Sequence, residues 1–173
     1  MKHAFLNRNK IVPIAGPAAA TTGAVDSDWV SVAHGTGVAF QVVIEEGRAN
    51  QADDNTITLR QAKTAAGGDP IDLVPRRAYR RSSGTSLADA AAATPEVIER
   101  DADGNLDLHV DGDVTTIYDI EIDASELDVN DDYAFVQART AAVGSSTTTV
   151  TMTAIACGLR QILAPQHLAN VLA

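Results

Sequence analysis

Thr116-Ile117-Tyr118-Asp119-Ile120-Glu121-Ile122-Asp123 decides the fold. Tyr118, Ile120 and Ile122 alternate with Asp119, Glu121 and Asp123. An extended strand sends successive side chains to opposite faces, so it sorts these residues into one apolar and one acidic face. A helix, at about 3.6 residues per turn, would mix them. The segment therefore predicts a strand with Tyr118, Ile120 and Ile122 inward. Its carboxylates continue in Glu126, Asp128, Asp131 and Asp132. A paired-acid glycosidase needs two carboxyls facing each other across a cleft. These lie along one strand face and read as a solvated surface.

The same two-residue period extends in both directions. Upstream, Leu106, Leu108 and Val110 share a face, and Asp111-Gly112-Asp113 after them is a hairpin signal. Thr56–Lys63 alternates with Ile57 and Leu59 inward and Thr58 and Arg60 outward. Val38–Glu45 is a nearly continuous apolar run, the pattern of a central strand buried on both faces. Trp29–Ala33 is a short strand closed by the turn His34–Gly37, while Gly47–Asn55 reads as a polar loop and Ala65–Pro70 as a turn. Downstream, Ser125–Asp128 is a one-turn helix or bend. Strands follow at Tyr133–Thr140 and at Thr147–Ala156, which is rich in Thr and Val.

Three segments fall outside this rhythm. In residues 1–25, Pro13, Gly16 and Pro17 interrupt an Ala- and Ile-containing stretch, leaving room only for a short edge strand at Lys10–Ile14. In residues 71–100, Pro70 and Pro75 oppose a long element. Ser86 can cap a short helix running to Ala93, with Asp89 at its third position and Thr94-Pro95 ending it. This segment reads as an insertion that covers a sheet or reaches a neighbour. At the C-terminal end, Pro165–Leu172 predicts a short helix with Pro at its first position.

Seven to nine strands with turns between them, and no helix long enough for a parallel crossover, predict an all-β fold. The expected architecture is an antiparallel β-sandwich or barrel, jelly-roll-like, with an extended N-terminal arm and short peripheral helices. The expected organisation is an arm over 1–25, a β-sandwich body over 26–158 with an insertion at about 71–100, and a C-terminal tail over 159–173.

Composition narrows the function. A net charge of −10 repels phosphate backbones, which disfavours nucleic acid as a partner. No apolar run approaches the roughly 18 residues that span a bilayer, so no membrane partner is expected. Met1–Lys10 lacks the apolar centre of a signal peptide, and the chain reads as soluble and made inside the cell. With aromatics at only 4% and Ala abundant, the core must rest on Val, Ile and Leu. Such a core is thin, and partner contacts are expected to add stability. The one cysteine, Cys157, forms no internal disulfide and reads as a small buried hydrophobe.

Chemistry-bearing motifs are sparse. His3, His34, His109 and His167 are scattered, and none has a second ligand at metal spacing. No nucleophile, base and orienter stand at a supporting spacing, so no enzyme is expected and no catalytic, cofactor or metal residue is assigned. The best-furnished ligand candidate is Asp101, Asp103, Asn105 and Asp107 around Gly104, an oxygen set of the kind Ca²⁺ takes. It departs from an EF-hand loop, because Gly104 comes early and Gly112 stands at the twelfth position. An acidic hairpin turn explains the same residues. Arg76-Arg77-Ala78-Tyr79-Arg80-Arg81 gathers four of the chain's 13 Lys and Arg within six residues. Arg and Tyr together suit a protein contact, with a solvated loop and a base-stacking surface as the other readings.

Several stretches resemble small virion proteins of tailed bacteriophages. They are Asn7–Pro13 with Asp28-Trp29-Val30, Val38–Ile44, Thr56–Ala62, and Tyr118–Asp128 followed by Tyr133–Arg139. The likeness is spread in pieces between residues 7 and 139 and leaves out residues 71–100. It implies a capsid cement or decoration protein on the outer surface of a phage head. The implied partners are the major capsid protein and further copies of itself, often as a homotrimer at local three-fold positions. The implied location is the virion, after synthesis in the host cytoplasm. A tail, connector or head-completion subunit is the alternative within that class, and a carbohydrate-binding attachment module the alternative outside it. The family supplies no active-site residues.

Overall fold

The computed structural model describes residues 10–19, 24–33, 35–45, 55–82, 84, 86–99, 102, 106, 109–110, 115–141 and 149–158. Within them the strands are β1 (Lys10–Ala19), β2 (Val25–Asp26), β3 (Val30–Ser31), β4 (Gly37–Glu45), β5 (Asn55–Ala62) and β6 (Ile71–Leu73). They continue as β7 (Arg77–Ser82), β8 (Glu96–Val97), β9 (His109–Val110), β10 (Thr116–Asp123), β11 (Phe135–Thr140) and β12 (Thr149–Cys157). One helix, α1 (Leu87–Ala92), interrupts them.

Two sheets form, and every pairing is antiparallel. The main sheet has the order β1-β12-β4-β10-β7-β8; the second has β2-β11-β5-β6, with β3 on β11 and β9 on β5. The pairings are nested: β1 with β12, β2 and β3 with β11, β4 with β10, β5 with β6. This winding, outermost strands together and successive pairs inside them, is that of a jelly roll. The segment β7-α1-β8 enters between β6 and β10 and widens the main sheet past β10.

Alternation places the core. On β10 Tyr118, Ile120 and Ile122 are buried while Glu121 and Asp123 are exposed, as the sequence pattern predicts. Phe40, Val42, Ile44, Tyr118, Ile120 and Met152 of the main sheet face Val30, Leu59, Val136 and Ala138 of the second in one continuous cluster. Each such aliphatic or aromatic side chain contributes about 1.5–3 kcal/mol on burial. Where β2 gives way to β3, Ser27 joins them to β11. Its amide donates to Ala138 O (2.9 Å), its hydroxyl accepts from Ala138 N (3.1 Å), and its carbonyl accepts from Gln137 Nε2 (2.7 Å).

Several expectations need correction. Val38–Glu45 is central, but it is buried on one face only: Val38, Phe40, Val42 and Ile44 are covered, whereas Ala39, Gln41 and Val43 are half-buried. Residues 10–19 of the expected arm are a full strand, because β12 supplies the pairing that the local sequence cannot show. Its Pro13 and Pro17 are tolerated because β1 is an edge strand with two register shifts, which also spoil that edge as a template for further pairing. Within residues 71–99 only α1 covers a sheet, packing on β7 and β10; the strands of this segment are built into the sandwich. β6 joins the second sheet and β7 and β8 join the main one. Only α1 stands outside a sheet, capped by Ser86, whose hydroxyl accepts from Asp89 N (3.2 Å) and donates to its carboxylate (2.6 Å). Of Trp29–Ala33 only Val30-Ser31 pairs. The bend after β10 is two 3₁₀ turns, Ala124–Glu126 and Val129–Asp131. The helix expected at Pro165–Leu172 and the whole tail over 159–173 lie outside the described residues.

Candidate functional site

β7 pairs directly with β10, which brings together two features that stand 38 residues apart in sequence, the arginine cluster and the acidic row. The register sets Glu121 opposite Arg77, Asp119 opposite Tyr79, and Ile117 opposite Arg81 on the outward face. From there Arg81 reaches diagonally to Asp119, with Nε at 3.1 Å and a terminal nitrogen at 2.6 Å from the same oxygen. Gln41 on β4 donates to the other oxygen of Asp119 at 2.9 Å. Asp119 is thus held by three donors from two neighbouring strands. The expected solvated row is in this position a half-buried ion pair. On the inward-facing side of β7, Arg80 extends to Glu96 of β8 at 3.0 Å. Two of the four clustered arginines are therefore engaged within the sandwich, while Arg76 and Arg77 remain exposed.

Arg76 and Arg77 border a groove of about 230 Å³ with Glu121, Asp123 and Glu126. Glu126 accepts the Arg76 backbone N–H at 3.1 Å. Asp123 accepts from the Ser125 amide at 2.8 Å and from its hydroxyl at 2.7 Å, closing the first 3₁₀ turn. Those two bonds, aided by Arg76 and opposed by partial desolvation, hold the Asp123 carboxyl below the usual aspartate range.

A second lattice covers the outward face of the second sheet. Arg60 donates to Gln137, approaches Asp26 at 3.6 Å and lies over the Trp29 ring at 5.8 Å from its centroid. Arg139 meets the other Asp26 oxygen at 3.4 Å. Gly67 backs Trp29 so closely that a Cβ there would lie 2.6 Å from the indole nitrogen. Lys63 stands 5.2 Å from the Tyr133 ring centroid.

The main sheet's outward face has a different character. Across β1, β12 and β4 the register lines up Ile11, Ile155 and Ala39 in one row and Pro13, Thr153 and Gln41 in the next. None of these side chains carries a charge. At the far end of the face, α1 packs on β7 and β10 with Ala90 buried, and Ile117 is buried there despite pointing outward.

The remaining sequence candidates separate plainly. Asp101, Asp103, Asn105 and Asp107 lie outside the described residues, as do His3, His34 and His167, and the His109 side chain. Among the described residues no three His, Cys, Asp or Glu side chains gather as a metal site would need, and no helix is long and apolar enough to cross a membrane. Cys157 is not fully buried: it ends β12 half-exposed, its thiol donating to Ile155 O at 3.3 Å, with desolvation pushing its pKa up. Sequence reasoning missed the Arg81–Asp119–Gln41 link. Its available signal was the two-residue spacing of Arg77, Tyr79 and Arg81, the period of a strand. Comparison with protein-family models, with curated proteins and with solved structures finds no match, and what classifies the chain is its own strand order, that of an all-β sandwich.

Proposed function

We propose that the chain is a capsid cement or decoration protein that binds the outer surface of a tailed-phage head and stabilises the lattice of its major capsid protein. The observation that carries this reading is a segregation of charge. All 23 carboxylates lie between Asp26 and Asp132, whereas Lys2, Arg8, Lys10 and Arg160 fall in segments that contain none. Those segments meet in space, because Lys10 on β1 pairs with Ala156 on β12. The carboxylates thus belong to the middle of the chain, and β1 and β12, the strands that border the cationic flanks, are neighbours in the main sheet. Cationic flanks on an acidic chain suit attachment to an acidic patch on a neighbouring protein. Many copies on a symmetric shell turn individually weak contacts into firm bridging.

Heads assembled without the chain supply the test. Added in purified form, it is expected to pellet with them at lattice positions and to raise the temperature at which they release their DNA. Removal of residues 1–9 and 159–173 should abolish pelleting while the β-sheet spectrum persists, and added salt should weaken it. A full-length chain that never pellets with heads would overturn the reading. A connector, tail or head-completion subunit would use the same flanks and is separated by copy number, a single ring against full lattice coverage. The glycan-binding alternative gains no support from Trp29, whose half-buried ring is already engaged by Arg60 and backed by Gly67.

A further inference from the structure

We infer that the Asp69–Pro70 peptide bond is a self-cleavage site, cut by the Asp69 carboxylate to leave a nicked body that stays assembled. The first ground is the backbone. Among the described residues two that are not glycine have positive φ, Asp69 at +50° and Asp132 at +65°. Asp132 closes the second 3₁₀ turn, its amide donating to Val129 O at 3.3 Å, which is an ordinary left-handed cap. Asp69 has no such role. It precedes a proline, a position that favours extended backbone. An aspartate that visits the left-handed region usually does so with a local hydrogen bond from its side chain. The Asp69 carboxylate makes no hydrogen bond or ion pair among the described residues.

Both flanks hold this conformation in place. On one side the Lys63 amide donates to Gly68 O at 3.1 Å, and the Gly68 amide donates to the Thr64 hydroxyl at 3.0 Å. On the other, Ile71 is already paired with Gln61. Only Asp69 and Pro70 are left to join the turn to β6, and the proline ring fixes its own φ, so the torsion falls on Asp69. Strain that persists because its surroundings over-determine it is a mark of sites where chemistry happens.

The second ground is the chemistry of the bond. A carboxylate oxygen of Asp69 attacks the residue's own main-chain carbonyl carbon and closes a five-membered cyclic anhydride. The C–N bond breaks, and its electron pair goes to the Pro70 nitrogen, which takes a proton from solvent. Water then opens the anhydride, which restores the Asp69 side chain and leaves a new α-carboxyl group. The sum is one water consumed. Nucleophile and electrophile lie in one residue, so the attack is intramolecular. Both Asp69 and Pro70 are exposed, so water and the proton reach them.

The cut would not release a fragment. Of the ten strand pairings among the described residues, eight join the piece before the cut to the piece after it, including β1 with β12, β4 with β10 and β5 with β11. The nicked body keeps its sheets but becomes one-way: once unfolded, its two pieces must find each other as separate molecules.

The full chain, kept at a mildly acidic pH at which its β-sheet spectrum persists, supplies the test. Denaturing mass spectrometry is expected to show residues 1–69 and 70–173, with masses summing to the chain plus one water. The rate should be about tenfold above that of a free peptide of residues 63–74 under the same conditions, the share that left-handed strain adds. Under native conditions the nicked sample should still run as one species. Asp69→Gly should lose both fragments without lowering the urea midpoint, because glycine adopts this φ freely. An intact chain, a rate equal to the peptide's, cutting that survives Asp69→Gly, or pieces that separate natively would each overturn the inference. Binding to heads bears on none of these readouts, so the shell reading stands or falls separately.

Discussion

Replacing Gly67 with Ala tests the second-sheet lattice at its tightest point. Gly67 closes the turn after β5, its amide donating to Thr64 O at 3.0 Å, with φ at +77°. A side chain in that left-handed conformation costs about 1–2 kcal/mol. The new Cβ would also stand 2.6 Å from Trp29 Nε1, 2.9 Å from Cε2 and 3.0 Å from Cζ2, so the ring must move. Moving it separates the indole from the Arg60 guanidinium, a contact worth roughly 0.5–1 kcal/mol at a partly exposed site. The expected loss is therefore about 2–3 kcal/mol, a large share of the 5–15 kcal/mol that typically holds a domain together. Trp29 is the single tryptophan, so urea unfolding followed by its emission reports both effects. The midpoint should fall, and the folded-state emission should shift to the red. Gly16→Ala is the control: nothing lies within 4 Å of its Cβ position, so the change should be neutral or stabilise by up to about 1 kcal/mol through the unfolded chain. A Gly67→Ala chain with unchanged midpoint and emission would refute the reasoning, and so would equal losses in both variants.

Phe40→Ala, at a fully buried site facing the second sheet, should cost about 3–5 kcal/mol in denaturant unfolding. Asp119→Asn should cost about 1–2 kcal/mol by leaving the Arg81 guanidinium without its carboxylate, and a double-mutant cycle with Arg81→Met should recover most of that as coupling. Asp123 carries a sign as well as a size. Its carboxyl is held below the ordinary value of 3.8 in the fold, so the stability it contributes is present above 3.8 and is lost as pH falls through the lower folded value. Carboxyl NMR titration should show Ser125→Ala moving the Asp123 midpoint up toward 3.8, since the hydroxyl bond disappears while the backbone amide bond remains.

The inward residues were legible because strand parity is a local property. Tyr118, Ile120 and Ile122, like Ile57 and Leu59, sit where alternation puts them. The helix after Ser86 was legible for the same reason, since its cap and its Ala run lie within one short stretch. What parity cannot supply is the partner strand. Lys10–Ala19 looks like an arm until β12 is placed beside it, and Arg77–Ser82 looks like a basic patch until β10 is. The solvated reading of Asp119 failed on that account, because both Arg81 and Gln41 reach it across strands. Val38–Glu45 misled in the opposite direction: its composition asks for cover on two sides, and the described residues of one chain fully supply only one.

The pairing of β1 with β12 also sets a timetable. Lys10 meets Ala156 and Ala19 meets Thr149, separations of 146 and 130 residues. At roughly 5–20 residues per second of synthesis, β1 leaves the ribosome some 7–29 s before the strand that must sit between it and β4. Throughout that interval β4 lacks one neighbour and the apolar half of β1 has no site to occupy. The roll can close only after translation has passed Cys157, late and over long loops, which marks the chain as a slow folder. Nascent chains stalled short of β12 should be the form that chaperones hold and proteases clear.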